Sequence, residues 1–240
     1  KWLQNRLLLA DRDGFYRAPS EIIERQDTSN DVTLFSIALD LDKDKDLDIL
    51  DVNGYTPGIT FLENQKIRFV DKTNKYFPMD LLNRVRPSFL LAGDFNNDSY
   101  IDLFFSDADS KRNYLLVNKN NRFIDMSREY SIMSPFLEGA SLLDVDNDGD
   151  LDIFGIRKGT NVIWENKTNS PNFLKIDVKP WNNTYPNSNI SIAVYEKGFQ
   201  NQNNHLIAYR EIGLSNPKAN IYNSATQHFG LEANKKYDIM

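Results

Sequence analysis

The nine residues Asp144-Val145-Asp146-Asn147-Asp148-Gly149-Asp150-Leu151-Asp152 carry carboxylates at positions 1, 3, 5, 7 and 9, with glycine at position 6. In that register every second side chain can turn inward onto one hard cation. The carbonyl of the seventh residue can add another oxygen. Gly149 permits the positive φ that a sharp turn requires. Carboxylates packed this closely repel one another without a counter-ion, and a cage of hard oxygens suits calcium. Magnesium suits it less, because it tends to retain its waters. Asp144, Asp146, Asp148 and Asp152 are expected to ligate by side chain. Asp150 is expected to ligate by its carbonyl, with its side chain free.

The spacing recurs twice. One copy is Asp40, Asp42, Asp44, Asp46 and Asp48; the other is Asp94, Asn96, Asp98, Tyr100 and Asp102, with Tyr100 offering its carbonyl. Ser99 takes the glycine position of the second loop, at some cost in strain. Lys43 and Lys45 lie among the aspartates of the first, and Lys45 takes its glycine position. Both lysines are expected to point to solvent while lowering the negative potential, so this loop is expected to bind most weakly. Up to three Ca2+ ions follow, at affinities of about 0.1–1 mM if the loops behave as extracellular calcium modules do. An EF-hand would place Glu at position 12; the third loop has Gly155 there, and a strand-like run follows it rather than a helix.

Short strands must hold these loops. Loop starts are 54 and then 50 residues apart, and the similarity continues past each loop. Asn64, Phe69, Asp71 and Thr73 follow Asp48 at the same offsets as Asn118, Phe123, Asp125 and Ser127 follow Asp102. The third unit keeps only the start, at Trp164-Glu165-Asn166. Strands are predicted on both sides of each loop, with two more after it in the first two units and one, Asn161–Glu165, in the third, and a short helical turn near Met79–Arg84. Four strands per repeat of about 50 residues is the pattern of a β-propeller blade. No apolar stripe keeps helical spacing over three turns. The fold class is therefore all-β: about three and a half blades over residues 1–169, then a small all-β module over 170–240. Period-2 runs at 173–178, 190–195 and 206–212 mark the module, and Asn169-Ser170-Pro171-Asn172 marks its boundary. A closed ring of seven such blades would need about 350 residues. The chain is thus expected to be part of a longer protein, or an open arc.

Net charge is −6, which argues against a nucleic-acid partner. The three loops hold 13 of the 34 acidic residues, and three divalent ions would bring the formal charge to zero. The absence of Cys removes disulfides, thiolate metal sites and thiol catalysis. No apolar run reaches the roughly 18 residues of a membrane span. Motifs of serine hydrolases, P-loop enzymes and zinc proteases are missing. His205 reads as a solvated loop residue and His228 as a packed strand residue. Trp164, Trp181 and Tyr185 read as packing at the domain junction, with a carbohydrate platform as the alternative.

The loop-and-strand units resemble FG-GAP/VCBS repeats of integrin-type propellers, with Phe136 to Asp144 matching the start of one such repeat. The last part resembles the ASPIC/UnbV module of cartilage-acidic-protein-like proteins, through Asn172–Ile176, Tyr195–Gly198, Arg210–Gly213 and above all Gln227-His228-Phe229-Gly230-Leu231. It departs at Asn187-Ser188-Asn189, where that family has a glycine-rich turn, and at Glu232, where it has glycine. The resemblance implies an exported, calcium-binding, non-enzymatic protein at the cell surface, in the periplasm or outside the cell. Its work would be contact with a protein or glycan partner in adhesion or matrix. The alternatives are a polysaccharide-active enzyme with catalytic residues elsewhere, or a scaffold subunit of a larger membrane-associated assembly.

Overall fold

The computed structural model describes residues 8–11, 14–17, 22–24, 32–66, 68–168, 172–178, 190–212, 219–221 and 226–240. The boundary residues 169–171, the 187–189 turn, Trp181 and Tyr185 lie outside these. Strands β1 (Leu8–Asp11) and β2 (Gly14–Arg17) form an antiparallel ribbon. After β3 (Ile23–Glu24) comes an up-and-down meander of β4 (Thr33–Leu39), β5 (Asp48–Asn53), β6 (Ile59–Asn64) and β7 (Phe69–Asp71). β3 lies parallel to the outer strand β7. Helical turns α1 (Thr73–Tyr76) and α2 (Met79–Leu82) lead to the second meander. It comprises β8 (Pro87–Gly93), β9 (Asp102–Asp107), β10 (Arg112–Asn118) and β11 (Phe123–Asp125). A third sheet holds β12 (Gly139–Leu143), β13 (Asp152–Ile156) and β14 (Val162–Trp164). The all-β class holds, and the expected helical turn is α2.

The remaining strands are β15 (Phe173–Asp177), β16 (Ile190–Glu196), β17 (Leu206–Ile212), β18 (Ala219–Ile221), β19 (Thr226–Gly230) and β20 (Tyr237–Ile239). β15 pairs with β19, and β16 lies between β17 and β20. β18 crosses to the second meander and runs parallel to its first strand, β8. The sequence pattern shows no strand at β18 or β20, while β19 carries His228, read as a packed strand residue. β18 and β20 are three-residue elements, too short to show a period.

Burial explains why some strands alternate and others read as continuous apolar runs. β9 is buried on both faces. Leu103 and Phe105 face the seam with the first meander, and Phe104 faces the seam with the third. β4 has solvent on one side, so Phe35, Ile37 and Leu39 are buried while Leu34 is exposed. Each buried Phe or Leu stabilises the fold by about 1.5–3 kcal/mol relative to exposure.

The tails of the first two repeats share one hydrogen-bond relay. The Thr73 amide donates to Asp71, and Thr73 Oγ1 accepts the Phe61 amide at 2.9 Å. Likewise the Ser127 amide donates to Asp125, and Ser127 Oγ accepts the Leu115 amide at 2.9 Å. The acid orients a hydroxyl that caps the outer edge of the third strand. That is the packing and turn role the repeated Asp-x-Thr/Ser spacing suggests.

Candidate metal centre

Each acidic loop joins the first strand of its sheet to the second, and all three fold alike. Positions 4 and 6 are left-handed throughout: φ is 67° and 74° at Lys43 and Lys45, 58° and 73° at Asn97 and Ser99, and 61° and 95° at Asn147 and Gly149. The first-position carboxylate accepts amides from inside its own loop. Asp40 takes those of Asp44 and Lys45, Asp94 those of Asp98 and Ser99, and Asp144 that of Gly149. The fifth-position carboxylate accepts the seventh amide in every loop, at 3.0, 2.9 and 2.9 Å. These bonds aim the backbone inward and leave the remaining carboxylate lone pairs to face one another.

The ninth-position carboxylate is the structural keystone. One oxygen accepts the second-position amide: Leu41 to Asp48 at 3.0 Å, Phe95 to Asp102 at 3.0 Å, Val145 to Asp152 at 2.7 Å. The other accepts the amide of an asparagine closing the third strand, from Asn64, Asn118 or Asn166, each at 2.8 Å. Asp48, Asp102 and Asp152 are at most 1 % exposed. The recurring asparagine, sixteen residues on in the first two repeats and fourteen in the third, is thus the partner of the last carboxylate. Its recurrence along the chain was visible, but not what it bonds.

Two loops converge three carboxylates onto one point. Oxygens of Asp40, Asp42 and Asp48 lie within 4.8 Å of one another, as do those of Asp144, Asp146 and Asp152. In the second loop Asn96 replaces the middle carboxylate, and its Nδ2 donates to Asp98 at 2.9 Å. Several of these acids titrate high. Burial first, then repulsion from neighbouring carboxylates, raises Asp42 to about 7 and Asp48 to about 8. Burial likewise raises Asp40, Asp94 and Asp150 to about 6, and Asp102 well above the usual carboxylate range. The loops therefore hold negative charge in places that disfavour it.

Three expectations need correction. Lys43 and Lys45 do not extend into solvent. Lys43 Nζ sits 3.3 Å from the centroid of the Tyr100 ring, and Lys45 Nζ 4.4 Å from that of Tyr195. Their apolar stems lie along the protein while the ammonium groups gain cation–π contacts. Burial, aided by nearby Arg210, lowers Lys43 to about 8. The Asp150 side chain is not free: its carboxylate accepts Asn97 Nδ2 at 2.6 Å, joining the third loop to the second. His205 is half-buried, stacked on Phe199 with centroids 3.8 Å apart, and its Nδ1 lies 2.8 Å from Glu196. His228 is a buried strand residue, as read, and Trp164 packs edge-on to Phe104 across the second seam.

The last third of the chain grips these loops through contacts that no local pattern marks. The Gly230 amide donates to Asp94 at 3.0 Å, and Ser99 Oγ donates to the Gly230 carbonyl. His228 Nε2 donates to the Gly149 carbonyl, and Lys175 pairs with Asp144. The Arg210 guanidinium faces Asp94, Asp40 and Asp102. Burial drives His228 down to about 4, so it is neutral and Nε2 carries its proton. The only signal was the distinctiveness of the Gln227–Leu231 string.

Among the described residues no helix is long and apolar enough to cross a membrane. No curated protein matches the chain. The segment from the first carboxylate of the second loop to the strand leaving the third does have a match: residues 94–155 are similar to the FG-GAP-like repeat family.

Proposed function

We propose that the chain is a calcium-binding, non-enzymatic repeat protein, exported and working by contact with a protein or glycan partner. In this reading residues 1–169 are FG-GAP-like blades and residues 170–240 an ASPIC/UnbV-like module seated on their loops. The observation that carries it is a set of buried carboxylate oxygens without a hydrogen-bond donor: Asp42 Oδ1, both oxygens of Asp46, and Asp144 Oδ1. An unpaired buried acceptor costs roughly 1–3 kcal/mol, more when charged. A calcium ion would satisfy several at once, and an all-oxygen donor set fits it. Asp40, Asp42, Asp44, Asp46 and Asp48 would hold one ion; Asp144, Asp146, Asp148, Asp152 and the Asp150 carbonyl a second. Asp94, Asn96, Asp98, Asp102 and the Tyr100 carbonyl would hold a third. Each ion would fasten the strand arriving at a loop to the strand leaving it.

Asp148→Ala separates the metal role from the turn role. Asp148 is exposed, and its carboxylate accepts the Asp150 amide, while its own amide, which alanine keeps, donates to Asp146. The variant is expected to melt like the parent in EDTA, within about 0.5 kcal/mol. In millimolar calcium it is expected to lose most of the calcium-induced rise in melting temperature at the third loop. Equal destabilisation with and without calcium would make the loop a turn and no more.

A further inference from the structure

The repeats contain their own control for a feature of the second seam. In the first seam Phe77 stacks on Phe123, centroids 4.4 Å apart and planes 12° from parallel, both rings buried. The pair shares one buried cluster with Leu41, Phe61, Tyr76, Ile101, Leu103 and Leu116. One repeat further along, the equivalent residues are Phe95, Leu115, Tyr130, Leu151, Ile153 and Trp164. All six line an open cavity of about 320 Å³.

The cavity has a local cause. The Phe77 amide donates to the Thr73 carbonyl. At the matching turn Ser131 is inserted with φ 55°, and it is the Ile132 amide that donates to the Ser127 carbonyl. Ile132 thus stands where Phe77 stands. Counted from the closing asparagine, the position of Phe123 falls on Pro171, outside the described residues. Where the first seam holds two stacked rings, the described residues of the second supply one branched aliphatic side chain, Ile132. β14, beside the cavity, also has no fourth strand among the described residues, since β15 pairs with β19 instead.

We propose that this cavity receives an aromatic side chain from a partner protein, carried on an extended segment that pairs with the edge of β14 left open by the described strands. The occupant's chemistry is read from the first two repeats. In the second repeat the fourth strand β11 pairs with β10, setting Phe123 opposite Asn118 and Asp125 opposite Leu116. The same register on β14 sets an aromatic residue opposite Asn166 and an acid opposite Trp164. The ring would meet the faces of Trp164 and Tyr130 over an aliphatic floor of Leu115, Leu151 and Ile153. Main-chain bonds to this edge would supply affinity, and the ring would supply selectivity. The volume is near the roughly 300 Å³ lower bound of ligand pockets, enough for a ring and too small for a large ligand. Phe95 and Leu151 give the cavity two walls from the second and third acidic loops, but none of the proposed calcium ligands lines it.

The test uses the chain's own fourth strand as the probe: a synthetic peptide of residues 120–127, Asn-Asn-Arg-Phe-Ile-Asp-Met-Ser. Titrated into the whole protein, it is expected to bind saturably and to shift the indole N–H resonance of Trp164. The same peptide with alanine for its Phe is expected to bind at least about tenfold more weakly. Ile132→Phe, which returns a ring to the seam, is expected to raise the melting temperature and weaken the parent peptide by a similar factor. Leu115→Phe fills the floor instead and serves if Ile132→Phe does not fold. Absence of saturable binding, equal binding of the alanine peptide, or undiminished binding to a folded filled variant would each overturn the proposal.

Discussion

Asp102→Ala is expected to destabilise the protein by about 3–5 kcal/mol in urea denaturation in EDTA, and by more in calcium, where a ligand is lost as well. The Asp102 carboxylate is fully buried and accepts two buried amides, Phe95 at 3.0 Å and Asn118 at 2.8 Å. Alanine strands both donors, and each unsatisfied buried group costs roughly 1–3 kcal/mol. Asn118 closes β10, and Phe95 packs in the second seam, so the damage spreads to two strands and the cavity wall. Asp102→Asn should cost less, because one amide oxygen can still accept the Asn118 donor. A loss below about 1 kcal/mol for Asp102→Ala would remove the ninth carboxylate from its structural role.

The second large effect lies outside the loops. A Cβ on Gly230 would fall 2.2 Å from the carbonyl carbon of Asn97 and 2.3 Å from its Cα. These are backbone atoms and cannot rotate away. Gly230→Ala is therefore expected to lift β19 off the second loop and break the Gly230–Asp94 bond. The neighbouring His228–Gly149 and Lys175–Asp144 contacts would weaken with it. Overpacking of about 1–3 kcal/mol and a lost bond to a charged group of about 1.5–3 kcal/mol set the scale. Limited proteolysis should then release residues 172–240 from the sheets well before the parent is cut. Unchanged protection, with a melting temperature equal to the parent's, would mean that this contact does not hold the two parts together.

The local parts of this architecture were legible in the sequence, and the long-range parts were not. Alternating acids, the glycine at position 6 and the run Thr33–Leu39 are local signals, and the loop geometry and β4 follow them. So do the Asp71–Thr73 and Asp125–Ser127 relays, because a side chain bonding two residues on repeats with the chain. Gly230 on Asp94, His228 on Gly149 and Asn97 on Asp150 join residues 136, 79 and 53 apart, and no period marks such pairs. The lysines of the first loop were misplaced for a similar reason. Their partners, Tyr100 and Tyr195, come from other elements, and charge alone suggested solvent. The second-seam cavity follows from a one-residue insertion at Ser131, which puts Ile132 in the place of Phe77 and which no periodic pattern marks.

The most direct test of the calcium reading is the melting temperature in EDTA and in millimolar calcium chloride, at pH 5.5 and pH 8. Asp40, Asp42 and Asp48 have folded-state pKa values of about 6, 7 and 8, above the ordinary carboxylate value of 3.8. A raised carboxyl withholds about 1.4 kcal/mol per unit once ionised. That penalty is absent below the ordinary value and complete above the raised one, so the metal-free protein loses stability as pH rises from about 4 to about 8. Calcium pairs with the ionised form and reverses the loss. The expected result is a lower melting temperature at pH 8 than at pH 5.5 in EDTA, and a larger calcium-induced rise at pH 8. A melting temperature at pH 8 that is the same in EDTA and in calcium would contradict the account.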